Sequence, residues 1–390
     1  MIIISLFSLF FLTIFFYYIY KMVKKKLHLW LPSYYVWSYK NWNHSIKNFK
    51  TKPIHIMFIV ADHFEPGRNS GIVKEWLLKY PEIAQRHYDA DGIPPRHTWF
   101  YPSEKSEKRI EQLEMLAQLA SMKYGEIELH LHHKNDTEKT LREKLRSAIR
   151  VYNKVGALVT VENKIAFGFV HGDWALDNSV TVNGENRCGV NNEIIILKEE
   201  GCYADFTFPA LNSAAQPRKI NSIYYAIDNP QKPKSYDTGL DVCVKKPLNI
   251  GDLMIIQGPL TINLLNWKRI FYPAVENGGI EGLRGPSPSR IKEWIRANIH
   301  VQGKNDWIFI KVHTHGASAS SMKMFLDHPM EEIYSQLEKN YNDGHNYCLH
   351  YVTAREAYNI IKAAEAGLAG NPNHYRDYLI KAYKNSIIQH

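Results

Sequence analysis

Short apolar runs of β type alternate with longer amphipathic helical patterns from residue 54 onward, and this alternation constrains the fold most strongly. It is typical of an α/β protein, because parallel strands need helical crossovers between them. The predicted strands are 55–62, 97–101, 126–132, 165–171, 202–208, 222–227, 254–257, 307–313 and 347–352. The predicted helices are 71–87, 104–120, 137–153, 192–200, 289–299, 331–339 and 353–364. About eight strands in one chain of this size fit a single (β/α) barrel.

Other segments flank or interrupt this predicted barrel. The stretch 210–285 is rich in Pro, Gly and short β runs, which indicates an insertion or lid. We expect the barrel to span 54–366, preceded by a basic and aromatic connector over 21–53. Residues 367–390 would form a C-terminal tail.

The first 20 residues contain no charged side chain and have about the length that a bilayer-spanning helix needs. No basic stretch precedes the run and no small-residue cleavage site follows it, which disfavours a signal peptide. A buried core helix is a further alternative. The lysines that follow, Lys21, Lys24, Lys25 and Lys26, favour a body on the cytoplasmic side. We therefore expect a single-pass membrane protein anchored by a transmembrane helix over 1–20.

The formal net charge of +9 is concentrated near the N-terminus, where residues 1–60 hold eight lysines and no acidic residue. The rest of the chain is nearly neutral, which argues against a body that binds nucleic acid. The cysteines, Cys188, Cys202, Cys243 and Cys348, form no CxxC pair. Neither a disulfide framework nor a thiolate zinc site is indicated, and packed, reduced thiols are expected.

Residues able to bind metals follow several predicted strands. In an α/β barrel the carboxyl ends of the strands carry the active site, and several such ends converging in one mouth would form a metal site. Each residue alone has a structural alternative, such as a hydrogen-bonded strand end. The candidates are Asp62, His63 and Glu65, then His130, His132 and His133, then His171, Asp173 and Trp174, and finally His313 and His315.

The sequence His-Leu-His-His at 130–133 gives the strongest metal signal. His130 and His132 point to the same face of an extended strand, and His133 at the following turn can swing toward them. Two of the three can therefore share an ion. Asp62 beside His63 supplies an anionic base and a further imidazole. One of the two histidines in His313-Thr-His315 is a candidate general acid.

At these positions the chain resembles the polysaccharide deacetylases, the family with the NodB-homology domain, over roughly residues 54–364. The family's first strand ends in two adjacent acids. Asp62 matches the first of them, and His63 stands in place of the second. Its next motif, two histidines four residues apart after a Glu-Ile strand, matches 126–130, but Lys134 stands at the second histidine. The run EIIILKEEGCYADFTF is similar to the family, whereas its Arg-and-Pro motif is missing where 171–174 stand. The last motif, an apolar strand ending in an acid histidine, matches 310–313.

The resemblance implies an irregular (β/α) barrel that hydrolyses an N-acetyl, or sometimes an O-acetyl, group on a carbohydrate with one divalent ion. Zinc is expected, with manganese, cobalt and nickel as alternatives. Carried over residue by residue, Asp62 is the base and His313 the acid. The implied ligands are His63, His130 and His132 or His133. The residues expected to touch a glycan or a lipid-linked sugar are His171, Asp173, Trp174 and His315.

Two other functions fit parts of the sequence. His130-Leu-His132 is similar to the HxH that opens metal-dependent phosphoesterase and amidohydrolase barrels, although two strand units precede it here. A non-catalytic carbohydrate-binding module is the other alternative, suggested by the replaced acid and the missing Arg. Metal content and acetate release distinguish these functions from a deacetylase.

Overall fold

The computed structural model describes residues 2–47, 53–104, 106–246, 251–263, 274–282, 285 and 287–386. The helices are α1 (Ile2–Lys24), α2 (Leu31–Lys47), α3 (Ser70–Ala84), α4 (Ile110–Ser121), α5 (Glu138–Asn153), α6 (Glu193–Glu199), α7 (Pro288–Arg296), α8 (Ala319–Leu326), α9 (His328–Tyr341) and α10 (Ala354–Glu365). The strands are β1 (Ile54–His63), β2 (His97–Pro102), β3 (Gly125–Leu131), β4 (Phe167–His171), β5 (Thr181–Val182), β6 (Glu185–Asn186), β7 (Cys202–Asp205), β8 (Ile223–Ala226), β9 (Leu240–Asp241), β10 (Leu253–Ile256), β11 (Thr261–Asn263), β12 (Ala274–Glu276), β13 (Trp307–Thr314) and β14 (Tyr347–Tyr351).

A ten-stranded, mostly parallel sheet forms the centre of the α/β fold. Its order is β13-β1-β2-β3-β4-β7-β10-β8-β9, with β14 paired to the first half of β1. The pairs β10–β8 and β8–β9 are antiparallel, and the others are parallel. Among the described strands, β13 and β9 do not pair directly with each other. The segment 299–302 lies between them, with bridges from Gln302 to Cys243, just after β9, and from His300 to Ile308 in β13. The barrel prediction is therefore confirmed only as an α/β fold with a mostly parallel sheet.

Both faces of the sheet are buried, as parallel strands require. Along β1, Ile56, Phe58 and Val60 pack into a core shared with residues of α3 to α9. The alternate residues Met57 and Ile59 pack into a second core shared with α10. Neighbouring residues on a strand thus point into different layers, and this alternation decides which side chains meet at the strand ends.

All nine predicted strands are present, with ends that differ by a few residues. The stretch 210–285 contributes β8, β9 and β10 to the central sheet, and β11 and β12 form a separate hairpin. Two helices were not anticipated. α2 lies within the predicted connector, and α8 begins after Ser318, whose side chain accepts a hydrogen bond from the backbone N–H of Ser321.

The N-terminal segment contacts the body through α2. Trp30 and Tyr34 are buried against Ile220 and Leu260. The predicted anchor, 1–20, falls mainly in α1, and residue 1 lies outside the described residues. Among the described helices, none combines the length and the apolar character that crossing a bilayer demands.

The C-terminal tail continues the packing beyond α10. Tyr383 is fully buried and donates a hydrogen bond to Glu128. Arg376 donates to Glu356 on α10, 2.9 Å away. The described part of the tail therefore belongs to the folded body.

Candidate functional site

The strand register brings the predicted site residues to one edge of the sheet. Asp62 pairs with Thr314, His63 with Phe100, and Leu131 with His171. The carboxyl ends of β1, β2, β3, β4 and β13 therefore lie side by side, which is where ligands bind in open α/β sheets.

Glu65, His130 and His132 converge at this edge and form what we call the mouth cluster. Their ligand atoms all lie within 4.8 Å of one another. Glu65 Oε1 lies 3.0 Å from His130 Nε2 and 3.8 Å from His132 Nε2. His130 donates its Nδ1 proton to the backbone oxygen of Val170 at 2.9 Å, so its Nε2 faces the cluster. The side chains of Glu65 and His132 are 39% and 38% exposed, which leaves the cluster open on one side.

Charge in the mouth is balanced between carboxylates and imidazoles. Burial opposes ionisation of Glu65, but the hydrogen bond from His130 lowers its pKa below the usual range. Burial likewise opposes protonation of His132, but Glu104 and Glu65 raise its pKa. Glu104 lies 3.4 Å from His132 Nδ1. The mouth therefore holds ionised carboxylates at neutral pH.

His63 lies beneath the mouth cluster. Its ring centroid is 5.3 Å from that of His130 and 4.9 Å from that of His315. Burial, and then the neighbouring imidazoles of His315, His130 and His313, hold its pKa well below the usual value. His63 is thus a neutral imidazole, the form that binds metal ions.

His315 forms a carboxylate–imidazole pair at the same mouth. Its Nδ1 lies 2.8 Å from Glu281 Oε1, and both side chains are partly exposed, at 35% and 46%. Burial opposes protonation, but Glu281 raises the pKa of His315 above its usual value. An imidazole held in this way by a carboxylate has the arrangement of a general acid or base.

Asp62 lies on the other side of the strand from His63. It is fully buried and accepts hydrogen bonds from His97 Nε2 at 2.8 Å and from the backbone N–H of Gly316 at 2.7 Å. A Cβ atom at position 316 would stand 2.1 Å from Asp62 Oδ2, so only glycine fits there. Asp62 thereby fixes the turn that carries His315.

His313 is the second-last residue of β13, whose predicted end was residue 313, and it is 8% exposed. Its backbone N–H donates to Gly278 at 3.0 Å, and its carbonyl accepts from Ile280 at 2.8 Å. The segment 278–280 thus pairs with β13 and lies beside the mouth.

A second group, which we call the closed cluster, consists of His133, His171, Cys188 and Glu193. All four are buried, and their ligand atoms lie within 4.8 Å of one another. His133 Nε2 is 2.9 Å and His171 Nε2 is 3.5 Å from Glu193 Oε1. Cys188 Sγ is 3.3 Å from Glu193 Oε2. The structure therefore separates His133 from His130 and His132, and His171 from the mouth.

Asp173 and Trp174 follow directly after the closed cluster in the chain. Both have a left-handed backbone, with φ of 53° and 56°. Trp174 packs partly against the core, whereas Asp173 is half-exposed and lies 3.8 Å from Arg187. Asp173 is also close enough to His132 to contribute to its raised pKa.

A third metal-capable group, Asp89, Asp91 and His350, is far from these strand ends. His350 lies on β14, where it pairs with the first half of β1. His350 Nδ1 is 2.7 Å from Asp91, and Arg376 is 3.3 Å from Asp89. Because their side chains are paired in this way, we interpret the group as part of the structural packing of the fold.

Four residues of these clusters were not assigned roles from the sequence. Glu65, two residues after β1, was a candidate at the end of the first strand but received no role. Glu281, Cys188 and Glu193 lie in loops or at a helix start, far along the chain from the histidines they meet. A Cys before the predicted helix 192–200 and a Glu at its start were the only local signal for the last two.

Comparisons with known proteins complete this description. No protein-family model and no curated protein matches the chain. Among solved structures, it is similar to the crystal structure of a protein from Mycobacterium smegmatis described as a "putative polysaccharide deacetylase", with 11% sequence identity and a TM-score of 0.39. The match covers 81% of this chain and 93% of that one. Similarity at this level carries no information about the reaction, so function is inferred from the chain's own residues.

Proposed function

We propose that this chain is a metal-dependent hydrolase that removes an acetyl group, with an N-acetyl amide preferred, from a carbohydrate. The observation that carries the proposal is the half-open mouth cluster of Glu65, His130 and His132 beside the His315–Glu281 pair. Nitrogen and oxygen ligands with one open side are typical of catalytic divalent ions. The carbohydrate and the acetyl group are inferred from the sequence motifs at 126–130 and 310–313.

The residues of the mouth fit such an ion. His130 keeps Nε2 for the ion because its Nδ1 is bonded to Val170, an arrangement common among metal-binding histidines. His132 and Glu65 supply two further ligands, and neutral His63 supplies a nearby imidazole. When bound, the ion would polarise the acetyl carbonyl and lower the pKa of a bound water. Zinc suits these ligands best, with manganese, cobalt and nickel as alternatives.

His315 is the residue we propose for proton transfer. Its imidazole is partly exposed, lies against His63 and is oriented by Glu281. Donation of a proton to the leaving nitrogen needs a protonated imidazole, which Glu281 favours. Asp62 then acts as a positioning residue through Gly316. The sequence-based roles of Asp62 as base and His313 as acid stay predictions.

Asp173 and Trp174 are the proposed substrate contacts. Asp173 offers a half-exposed carboxylate to sugar hydroxyls, and the Trp174 ring offers a face on which a sugar can stack. The substrate would be a glycan or a lipid-linked sugar.

Acetate release tests this proposal. The full chain would be incubated with N-acetylglucosamine oligomers and with O-acetylated xylan, before and after treatment with a chelator. We expect acetate from the N-acetyl substrate, its loss with chelator and its return with zinc. No acetate from either polymer with the zinc-loaded chain would refute the proposal.

A metal-dependent phosphoesterase is the second candidate. It is favoured by one observation: His130 and His132, two residues apart, share a carboxylate at a strand end. Phosphate release from an aryl phosphate ester, without acetate release, would favour this alternative.

Membrane attachment through 1–20, with the body on the cytoplasmic face, is also a proposal. It is supported by the uncharged run and the lysines that follow it. Cell fractionation, with a compartment-specific reporter fused after the last residue, tests it. A fully extractable chain, or a reporter active only outside the cytoplasm, would contradict it.

A further inference from the structure

The closed cluster lies one residue along the chain from the mouth cluster but is separate from it. We propose that His133, His171, Cys188 and Glu193 bind a second divalent ion, zinc or a similar thiolate-binding metal, as a structural site. The inference does not rest on the proposed hydrolase activity. It rests on how these four side chains are held.

Each histidine of the closed cluster has one nitrogen bonded away from it. His171 donates from Nδ1 to the backbone oxygen of Gly172, and His133 donates from Nδ1 to Asp136 at 2.9 Å. Both Nε2 atoms therefore point inward. Metal-binding histidines in proteins are commonly fixed by such carbonyl and carboxylate partners.

His171 provides the observation that a hydrogen-bond network alone leaves unexplained. It is fully buried, and among the described residues its Nε2 has no hydrogen-bond partner, with Glu193 Oε1 3.5 Å away. Because Nδ1 carries the proton that is donated to Gly172, the neutral tautomer of this imidazole turns the lone pair of Nε2 toward the cluster. A buried polar atom without a partner is costly, and a metal ion would remove that cost.

The charges and the burial of the cluster also suit a structural ion. One thiolate and one carboxylate would neutralise a divalent cation, and two neutral imidazoles would complete four ligands. Cys188, Glu193 and His171 are fully buried and His133 is 5% exposed, so no side is open to substrate. The charge of Asp136 is met separately by Lys144 at 2.7 Å.

Without an ion, His133 would act as a cation between two carboxylates. Burial opposes that charge, but Glu193 and Asp136 raise the pKa of His133 to about 9. This alternative accounts for His133 and Glu193. It leaves the inward nitrogen of His171 without a hydrogen bond among the described residues. The thiol of Cys188 would then donate only to Glu193 and Val190, at 3.3 and 3.4 Å.

An ion in the closed cluster would fix the segment that borders the mouth. The four ligands come from the loop after β3, the end of β4, the loop that follows β4 and the start of α6. Gly172, next to His171, lies against the ring of His132. The second ion would therefore hold Gly172 and His132 in place.

Cobalt(II) is the probe that distinguishes the two clusters, because a thiolate–cobalt bond gives a charge-transfer absorption that histidine and carboxylate ligands do not. Only the closed cluster contains a cysteine. We expect the full chain loaded with cobalt to show this band and Cys188→Ser to lose it. His130→Ala, which alters the mouth alone, should retain the band even if the proposed hydrolase function fails.

A variant in which Cys188 is the sole thiol guards against misfolding of Cys188→Ser. This variant, Cys202→Ala/Cys243→Ser/Cys348→Ser, leaves the closed cluster intact and should keep the full band. Absence of the band in the wild-type chain, its persistence in Cys188→Ser, or its loss in the triple variant with native circular dichroism would each overturn the proposal.

Discussion

Gly172 lies so close to His132 that a Cβ atom at position 172 would stand 2.2 Å from the imidazole Cδ2. His132 belongs to the mouth cluster, whereas the residue before Gly172, His171, belongs to the closed cluster. One backbone contact therefore joins the two candidate metal sites. A side chain at position 172 would force the His132 ring to move.

Gly172→Ala is predicted to weaken metal binding at the mouth by about 10- to 100-fold, the usual effect of disturbing the support of a ligand. Competition with a metal indicator measures this change. Gly285→Ala is the matched control, because among the described residues its Cβ would approach no atom closer than Met324 Cε at 4.0 Å. Equal affinities in the two variants would show that His132 does not bind the ion.

His315→Gln is predicted to lower kcat by about 10²- to 10⁴-fold with little change in KM, because it removes the proposed proton donor. Glu281→Gln should have a smaller effect on kcat. It should also move the alkaline limb of the pH–rate profile to lower pH, because the pKa of His315 falls without the carboxylate. Steady-state rates over a pH series give both kcat and the position of the alkaline limb. An unchanged kcat in His315→Gln would exclude His315 as the proton donor.

Asp62→Asn separates two roles for Asp62. If Asp62 only holds Gly316 and His97, the amide should preserve the fold, and activity should stay within about tenfold of the wild type. If Asp62 is the base, as the sequence motif predicts, the loss should exceed about a hundredfold. The kcat of Asp62→Asn, measured together with those of the wild type and His315→Gln, distinguishes the two roles.

Glu356 should make the stability of the fold depend on pH in the acidic range. Burial raises the pKa of this carboxyl, but Arg96, Arg376 and Arg355 lower it further, to about 2. Because the folded pKa lies below the unfolded value of about 4.3, the stabilisation is complete above that pH and is lost as pH falls toward about 2.

Glu356→Gln should therefore cost about 3–5 kcal/mol near neutral pH, as expected when one member of a buried ion pair is removed. The difference in the free energy of unfolding between this variant and the wild type should shrink below about pH 4.3. Urea unfolding at several pH values measures it, with Glu75→Gln in the exposed pair with Lys79 as a control of small effect. A difference in the free energy of unfolding that stays constant down to pH 2 would show that ionised Glu356 does not stabilise the fold.

The strands could be predicted from the sequence because each is an apolar run that ends in polar residues. The shared face of His130 and His132 followed from strand alternation. The order of the strands in the sheet was less predictable, because it depends on how β8 and β10 pair within 210–285.

The closed cluster could not be assembled from local patterns. Cys188, just after β6, and Glu193, at the start of α6, meet His133 and His171 only in the folded chain. Glu281 reaches His315 across 34 residues in the same way. The sequence places residue types at strand ends, whereas these loop contacts depend on tertiary packing.

Metal binding by the mouth cluster can be measured through the metal content of His130→Ala. The full chain and this variant would be purified without chelator and compared by elemental analysis, with circular dichroism to verify the fold. We expect about one bound divalent ion fewer per chain in the variant than in the wild type. Equal metal content in the two folded proteins would show that the mouth cluster holds no ion.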